Sequence, residues 1–112
     1  MLKTGSRIGI LGGGQLGRML AIAAARLGFK SHIFDPSENS PASQVASKTS
    51  IASFENEKAL IDFAKNVDVI TYEFENIPTT TLDILEEFVP VRPGRDALRV
   101  SQDRIIEERL PV

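Results

Sequence analysis

Arg7-Ile8-Gly9-Ile10-Leu11-Gly12-Gly13-Gly14-Gln15-Leu16-Gly17-Arg18-Met19-Leu20 is the stretch that decides the fold. The apolar segment from Arg7 to Leu11 stops at three glycines, the pattern of a buried strand running into a tight turn. Leu16, Met19, Leu20, Ala23, Ala24 and Leu27 then recur at helical spacing in an alanine-rich stretch, and Gly28 supplies the stop. A second strand is expected from Lys30 to Phe34, ending at Asp35-Pro36, where proline forbids helix continuation. Together these segments make one β-α-β unit.

Further along, Ser37 to Ser50 is polar and interrupted by Pro41, with room for one helical turn near Ala42 to Ala46. The alternation then resumes. Thr49 to Ala52 reads as a short strand, Glu55 to Lys65 as an amphipathic helix with Leu60, Ile61 and Ala64 inward, and Asp68 to Tyr72 as a strand. Thr79 to Glu87 suits a helix after Pro78, Val89 to Val91 a last short strand, and Pro93 to Arg109 one or two terminal helices. Strands alternating with helices call for an α/β fold, a Rossmann-like parallel sheet with helices on both faces. Ligands in such sheets bind at the carboxyl ends of the strands, which nominates the glycine turn and the segment after Tyr72.

Composition narrows the function classes. The 112 residues are 42% hydrophobic and 25% charged, the balance of one soluble globular domain. Cysteine is absent, which excludes a disulfide framework, a thiolate nucleophile and a Cys-rich zinc site. The formal charge of -2 gives no electrostatic reason for nucleic acid or an anionic membrane as partner. Small-molecule partners and a cytoplasmic location are the expectation, since Met1 to Ser6 lacks the apolar core of a signal peptide.

Gly12-Gly13-Gly14-Gln15-Leu16-Gly17 fits G-x-G-x-x-G between a strand and a helix, so backbone N–H groups at a helix N-terminus are offered to an anion. A phosphate is the natural guest. The pattern does not say whether that phosphate belongs to a dinucleotide or a ribonucleotide, and the plainer reading is a tight turn with close helix-strand packing. Asp35 stands where a dinucleotide fold places its ribose-binding acid, but Pro36 follows at once, and a local turn role is preferred. Glu73 and Glu75 are spaced to point the same way in an extended segment, either toward an amine or sugar hydroxyls, or into solvent as caps of the next helix. His32 has no triad or metal-type partner in the sequence and is assigned no role. Arg92, Arg95, Arg99 and Arg104 form a basic cluster that suits a solvated helical face.

Three segments come in a telling order: Gly12 to Leu20, Asp35-Pro36 with Pro41-Ala42-Ser43-Gln44-Val45-Ala46, and Tyr72-Glu73-Phe74-Glu75-Asn76-Ile77-Pro78. With Pro93-Gly94-Arg95-Asp96-Ala97-Leu98 and Gln102-Asp103-Arg104, they closely resemble the N5-carboxyaminoimidazole ribonucleotide synthase family of the ATP-grasp superfamily. The resemblance implies that residues 1–100 are a Rossmann-like pre-ATP-grasp substrate-binding domain. Residues 101–112 would then begin the connection to a central ATP-grasp domain. It also implies a carbon-nitrogen ligase of purine biosynthesis, the ATPase component of a carboxylase, working as a homodimer. Such an enzyme uses ATP and Mg²⁺ to activate bicarbonate as carboxyphosphate, then carboxylates the exocyclic amine of 5-aminoimidazole ribonucleotide. Carried over residue by residue, Gly14, Gln15, Leu16 and Glu73 match substrate-binding positions, and Arg104 matches an arginine that reaches ATP. No catalytic residue and no metal ligand is implied in this chain; the Mg²⁺-binding acids would belong to later domains.

The 112-residue chain by itself is therefore expected to neither hydrolyse ATP nor carboxylate aminoimidazole ribonucleotide. A coupled phosphate-release assay on the purified chain, with bicarbonate and ribonucleotide present, checks this; steady turnover would contradict it.

Overall fold

A computed structural model of the protein describes residues 5–72 and 77–93. Five strands form one parallel sheet: β1 (Arg7–Leu11), β2 (Lys30–Asp35), β3 (Lys48–Ile51), β4 (Val69–Tyr72) and β5 (Val91–Pro93), in the order β3-β2-β1-β4-β5. Helices α1 (Gln15–Arg26), α2 (Glu57–Lys65) and α3 (Thr79–Glu86) supply crossovers, and a single 3₁₀ turn, Pro41–Gln44, lies between β2 and β3. Right-handed crossovers that run outward from β1 to β3 fall on one face of the sheet, and those that run back toward β5 fall on the other. The two cores follow this division. Ile8, Ile10, Ile33 and Val69 pack with Leu20, Ala21 and Ala24 of α1 and with Ala42. Leu11, Phe34 and Ile70 pack with Leu60, Phe63 and Ala64 of α2 and Leu85 of α3.

Local chemistry sets most boundaries. The chain leaves α1 through Leu27 and Gly28, with Gly28 N–H donating to the Ala25 carbonyl at 3.1 Å and Phe29 N–H to the Ala24 carbonyl at 2.9 Å. This double closure needs a left-handed residue, and Gly28 has φ 86°. Phe29 then drops into the core beside Ala24 and hands the chain to β2.

Four expectations need adjustment. The helix foreseen from Glu55 begins at Glu57, because the Asn56 side chain accepts the Ala59 N–H at 3.1 Å and closes its first turn. Its inward face carries Phe63 with Leu60 and Ala64, while Ile61 is only half-buried. In α1 the buried positions are Gly17, Leu20, Ala21 and Ala24, whereas Leu16 and Met19 are 50% and 65% exposed. The last strand begins at Val91 rather than Val89, since Phe88 and Val89 both donate to the Leu85 carbonyl and so belong to the end of α3. The terminal helices expected from Pro93 to Arg109 and the proposed boundary at residue 100 lie outside the described residues.

His32 is a core residue. Its neighbour across β1 is Gly9, and its ring meets Phe63 edge-on at 4.9 Å and 85°. Nε2 lies 2.7 Å from Ser50 Oγ on β3, and Nδ1 has no partner. Burial first, then the positive charges of Lys48 and Arg7, lower its pKa from 6.5 to about 4, with Asp62 opposing weakly. The folded state therefore holds the ring neutral where the unfolded chain would protonate it. Stability from this group is complete above pH 6.5 and declines as the pH falls toward about 4. Denaturant titrations across that window should show a loss of about 3 kcal/mol that His32→Gln lacks. Equal pH slopes for the two proteins would refute the assignment.

Candidate functional site

The glycine turn leaves β1 at Leu11 and enters α1 at Gln15. Two contacts fix it. A Cβ at Gly17 would collide with the Gly12 carbonyl oxygen, so the first turn of α1 rests directly on the backbone it has just left. A Cβ at Gly13 would collide with Ser40, whose side chain is buried against the turn and whose Oγ has no hydrogen-bond partner. The α1 N-cap is Gly14, no side chain caps the helix, and its first turn carries no acidic residue. The helix N-terminus thus keeps its partial positive charge, equivalent to about half an elementary charge, facing the carboxyl edge of the sheet. Gln15 and Leu16 are exposed there.

The loop after β2 wraps this turn. Asp35 Oδ2 accepts the Gly13 N–H at 2.7 Å, and Oδ1 accepts the Ser37 N–H at 2.8 Å. The Gly13 carbonyl in turn accepts the Ala42 N–H at 2.9 Å. A third tie joins the helix itself, Arg18 Nη1 donating to Gln44 Oε1 at 3.0 Å. The Ser37 bond is the local turn role expected of Asp35 from sequence. The Gly13 bond, 22 residues away, was not foreseen. Its only sequence signal is position, an acid at the end of the second strand of a β-α-β unit, beside the turn that follows the first.

Crossovers leave β1 and β4 in opposite directions, so the boundary between these neighbours is the topological switch point of the sheet, where open α/β sheets bind ligands. Leu11 and Tyr72, the last residues of the two strands, are paired in register. The glycine turn therefore starts beside the last residue of β4, the strand that precedes the second segment nominated from sequence. Glu73 and Glu75 lie outside the described residues, as do Arg95, Arg99 and Arg104; Arg92 is exposed on β5. No group of three or more His, Cys, Asp or Glu that would hold a metal exists among the described residues. No helix among them is long and apolar enough to cross a membrane.

Residues 5–102 match the family described as the ribonucleotide synthetase preATP-grasp domain. The chain belongs to that family. This preATP-grasp domain is 52% identical over 108 residues to the N5-carboxyaminoimidazole ribonucleotide synthase of Brucella melitensis biotype 1, covering 96% of the chain and 30% of that protein. It superposes with a TM-score of 0.78 and 42% identity on an ADP complex of N5-carboxyaminoimidazole ribonucleotide synthetase, covering 100% of this chain and 31% of the other. A third relative is the N5-carboxyaminoimidazole synthase of Aspergillus clavatus in complex with ADP and 5-aminoimidazole ribonucleotide, at 32% identity and TM-score 0.70, with 97% of this chain and 31% of that one covered. The preATP-grasp domain thus spans about a third of the length of these relatives.

In the preATP-grasp domain both oxygens of Asp35 accept backbone amides of the protein itself, Gly13 and Ser37, which ties the carboxylate to the turn in place of a ribose 2′-OH. NADH should accordingly bind no better than a nonspecific anion. Fluorescence titration of the purified chain tests this, and saturable micromolar binding that Gly14→Trp abolishes would show a dinucleotide site instead.

Proposed function

We propose that this chain is the ribonucleotide-binding domain of an N5-carboxyaminoimidazole ribonucleotide synthase, an ATP-dependent carbon-nitrogen ligase of purine biosynthesis. The observation that carries the reading is the pairing of Leu11 with Tyr72 at the switch point, which sets an uncapped helix N-terminus beside the chain that continues into Glu73. The phosphate of 5-aminoimidazole ribonucleotide sits at the first turn of α1, within reach of the backbone of Gly14, Gln15 and Leu16. Glu73 accepts hydrogen bonds from the ribose hydroxyls or the exocyclic amine of the same molecule. Each charge-assisted bond of this kind contributes about 1.5–3 kcal/mol.

ATP with Mg²⁺ supplies the phosphoryl activation of bicarbonate, and residues beyond this chain hold them, with Arg104 reaching toward the nucleotide. This domain's share of the reaction is to bind and orient. It fixes the ribonucleotide by its phosphate so that the amine is presented to the activated carboxyl group, a positioning role whose value lies in converting an encounter into an aligned attack. The new bond joins the amine nitrogen to the carboxyl carbon, the carbon–oxygen bond of the carboxyphosphate breaks, and inorganic phosphate leaves, taking up the proton that the amine loses. A homodimer, with residues 1–100 as the folded domain and 101–112 as the link onward, completes the proposed organisation.

In the complete ligase, Glu73→Gln should raise the KM for aminoimidazole ribonucleotide roughly ten- to hundredfold and leave that for ATP nearly unchanged. Arg104→Ala should show the reverse preference. Initial-rate kinetics with each substrate varied at saturation of the other decide the matter. An unchanged ribonucleotide constant in Glu73→Gln would reduce the acidic segment to a helix-capping loop.

A further inference from the structure

We propose that Asp35 is a positioning residue for the phosphate site: its carboxylate takes the Gly13 amide out of the anion-binding set and pins the turn, so that the amides of Gly14, Gln15 and Leu16 meet the phosphate. The inference rests on the reading that this site binds a ribonucleotide. Both polar backbone groups of Gly13 are already used, the N–H by Asp35 Oδ2 at 2.7 Å and the carbonyl by the Ala42 N–H at 2.9 Å. Ser40 fills the space a side chain at Gly13 would need. In a glycine turn that binds phosphate with every amide, the residue at this place would face the ligand. Here it faces inward, and the ligand is left with the helix end that follows.

The same bonds explain how a negative charge is tolerated near an anion site. A carboxylate close to a phosphate repels it less when its charge is spread into hydrogen bonds, and two short bonds from Gly13 and Ser37, one to each oxygen, do this. Asp35 also continues into the sheet, where its carbonyl accepts the Ala52 N–H at 3.3 Å. The turn is therefore anchored to β2 and through it to β3, rather than to its own helix alone. That anchorage fixes the direction of the α1 amides, and direction is what a phosphate oxygen requires of its donors.

Asp35→Asn separates the two roles of the side chain. The amide oxygen can keep the local bond to Ser37 N–H, but the NH₂ group would then oppose Gly13 N–H, donor against donor. Asp68→Asn is the matched control, since Asp68 Oδ2 accepts the Arg7 N–H at 2.8 Å at the opposite end of the sheet. In the complete ligase, Asp35→Asn should raise the ribonucleotide KM roughly tenfold, with kcat and the KM for ATP close to the parent values, while Asp68→Asn lowers Tm but moves neither constant. A variant-free measurement stands beside it. On adding aminoimidazole ribonucleotide to the parent enzyme, hydrogen exchange should slow at the Gln15 and Leu16 amides and stay unchanged at Gly13. An Asp35→Asn enzyme with the parental ribonucleotide KM overturns the proposal, as does an equal rise in both variants, or ligand-induced protection at Gly13 matching that at Gln15. A parent enzyme whose turnover does not depend on the ribonucleotide would instead overturn the functional reading on which the proposal rests.

Discussion

The backbone of Gly17 lying on the carbonyl of Gly12 is the contact on which the arrangement depends. With no side chain between them, the helix comes down onto the turn that starts it, and its phase is set. Leu20, Ala21 and Ala24 follow Gly17 inward, and Leu16 and Met19 are turned out. A β-carbon at residue 17 would lift the first turn away from the sheet edge and rotate its amides from the switch point. Packing and ligand chemistry therefore share one requirement, close approach of two backbones.

That shared requirement explains what could and could not be read from the residues. β1 was legible to both its ends, because an apolar run closed by three glycines is a local signal. The Schellman-type end of α1 was equally local in Gly28. The burial face of α1 was legible at Leu20 and Ala24 but not in its first turn. Hydrophobicity nominated Leu16 and Met19, but glycine, which carries no hydrophobic signal, won the position against the sheet. Phe63 was missed although it follows Leu60 by three residues and so shares its helical face, where its ring meets those of His32 and Phe34.

The candidate site divides in the same way. The helix end and the strand end that form it follow from strand-turn-helix order, and their adjacency follows from the strand order of a doubly wound sheet. The roles given to Glu73 and Arg104 came from resemblance, since spacing alone left the acidic segment open between ligand binding and capping. The bond from Asp35 to Gly13 lay beyond reach, because it joins residues that no short pattern connects. It inverts the meaning of a familiar position: an acid that would clasp a ribose in a dinucleotide fold is turned back upon the protein's own main chain.

The pairing of β1 with β4 carries one more consequence. Ile8 finds Ser31 after a single β-α-β excursion, but it meets Val69 only across a separation of 61 residues. Closing that distance carries a larger loss of chain entropy than any neighbouring pairing, and contacts of this kind govern folding speed. The crevice proposed for the ribonucleotide opens at the end of this same junction. It is a seam between a half that assembles locally and a half that must be brought to it from afar. A molecule that bridged the two strand ends would hold both halves together and so stabilise the fold along its longest-range strand pairing.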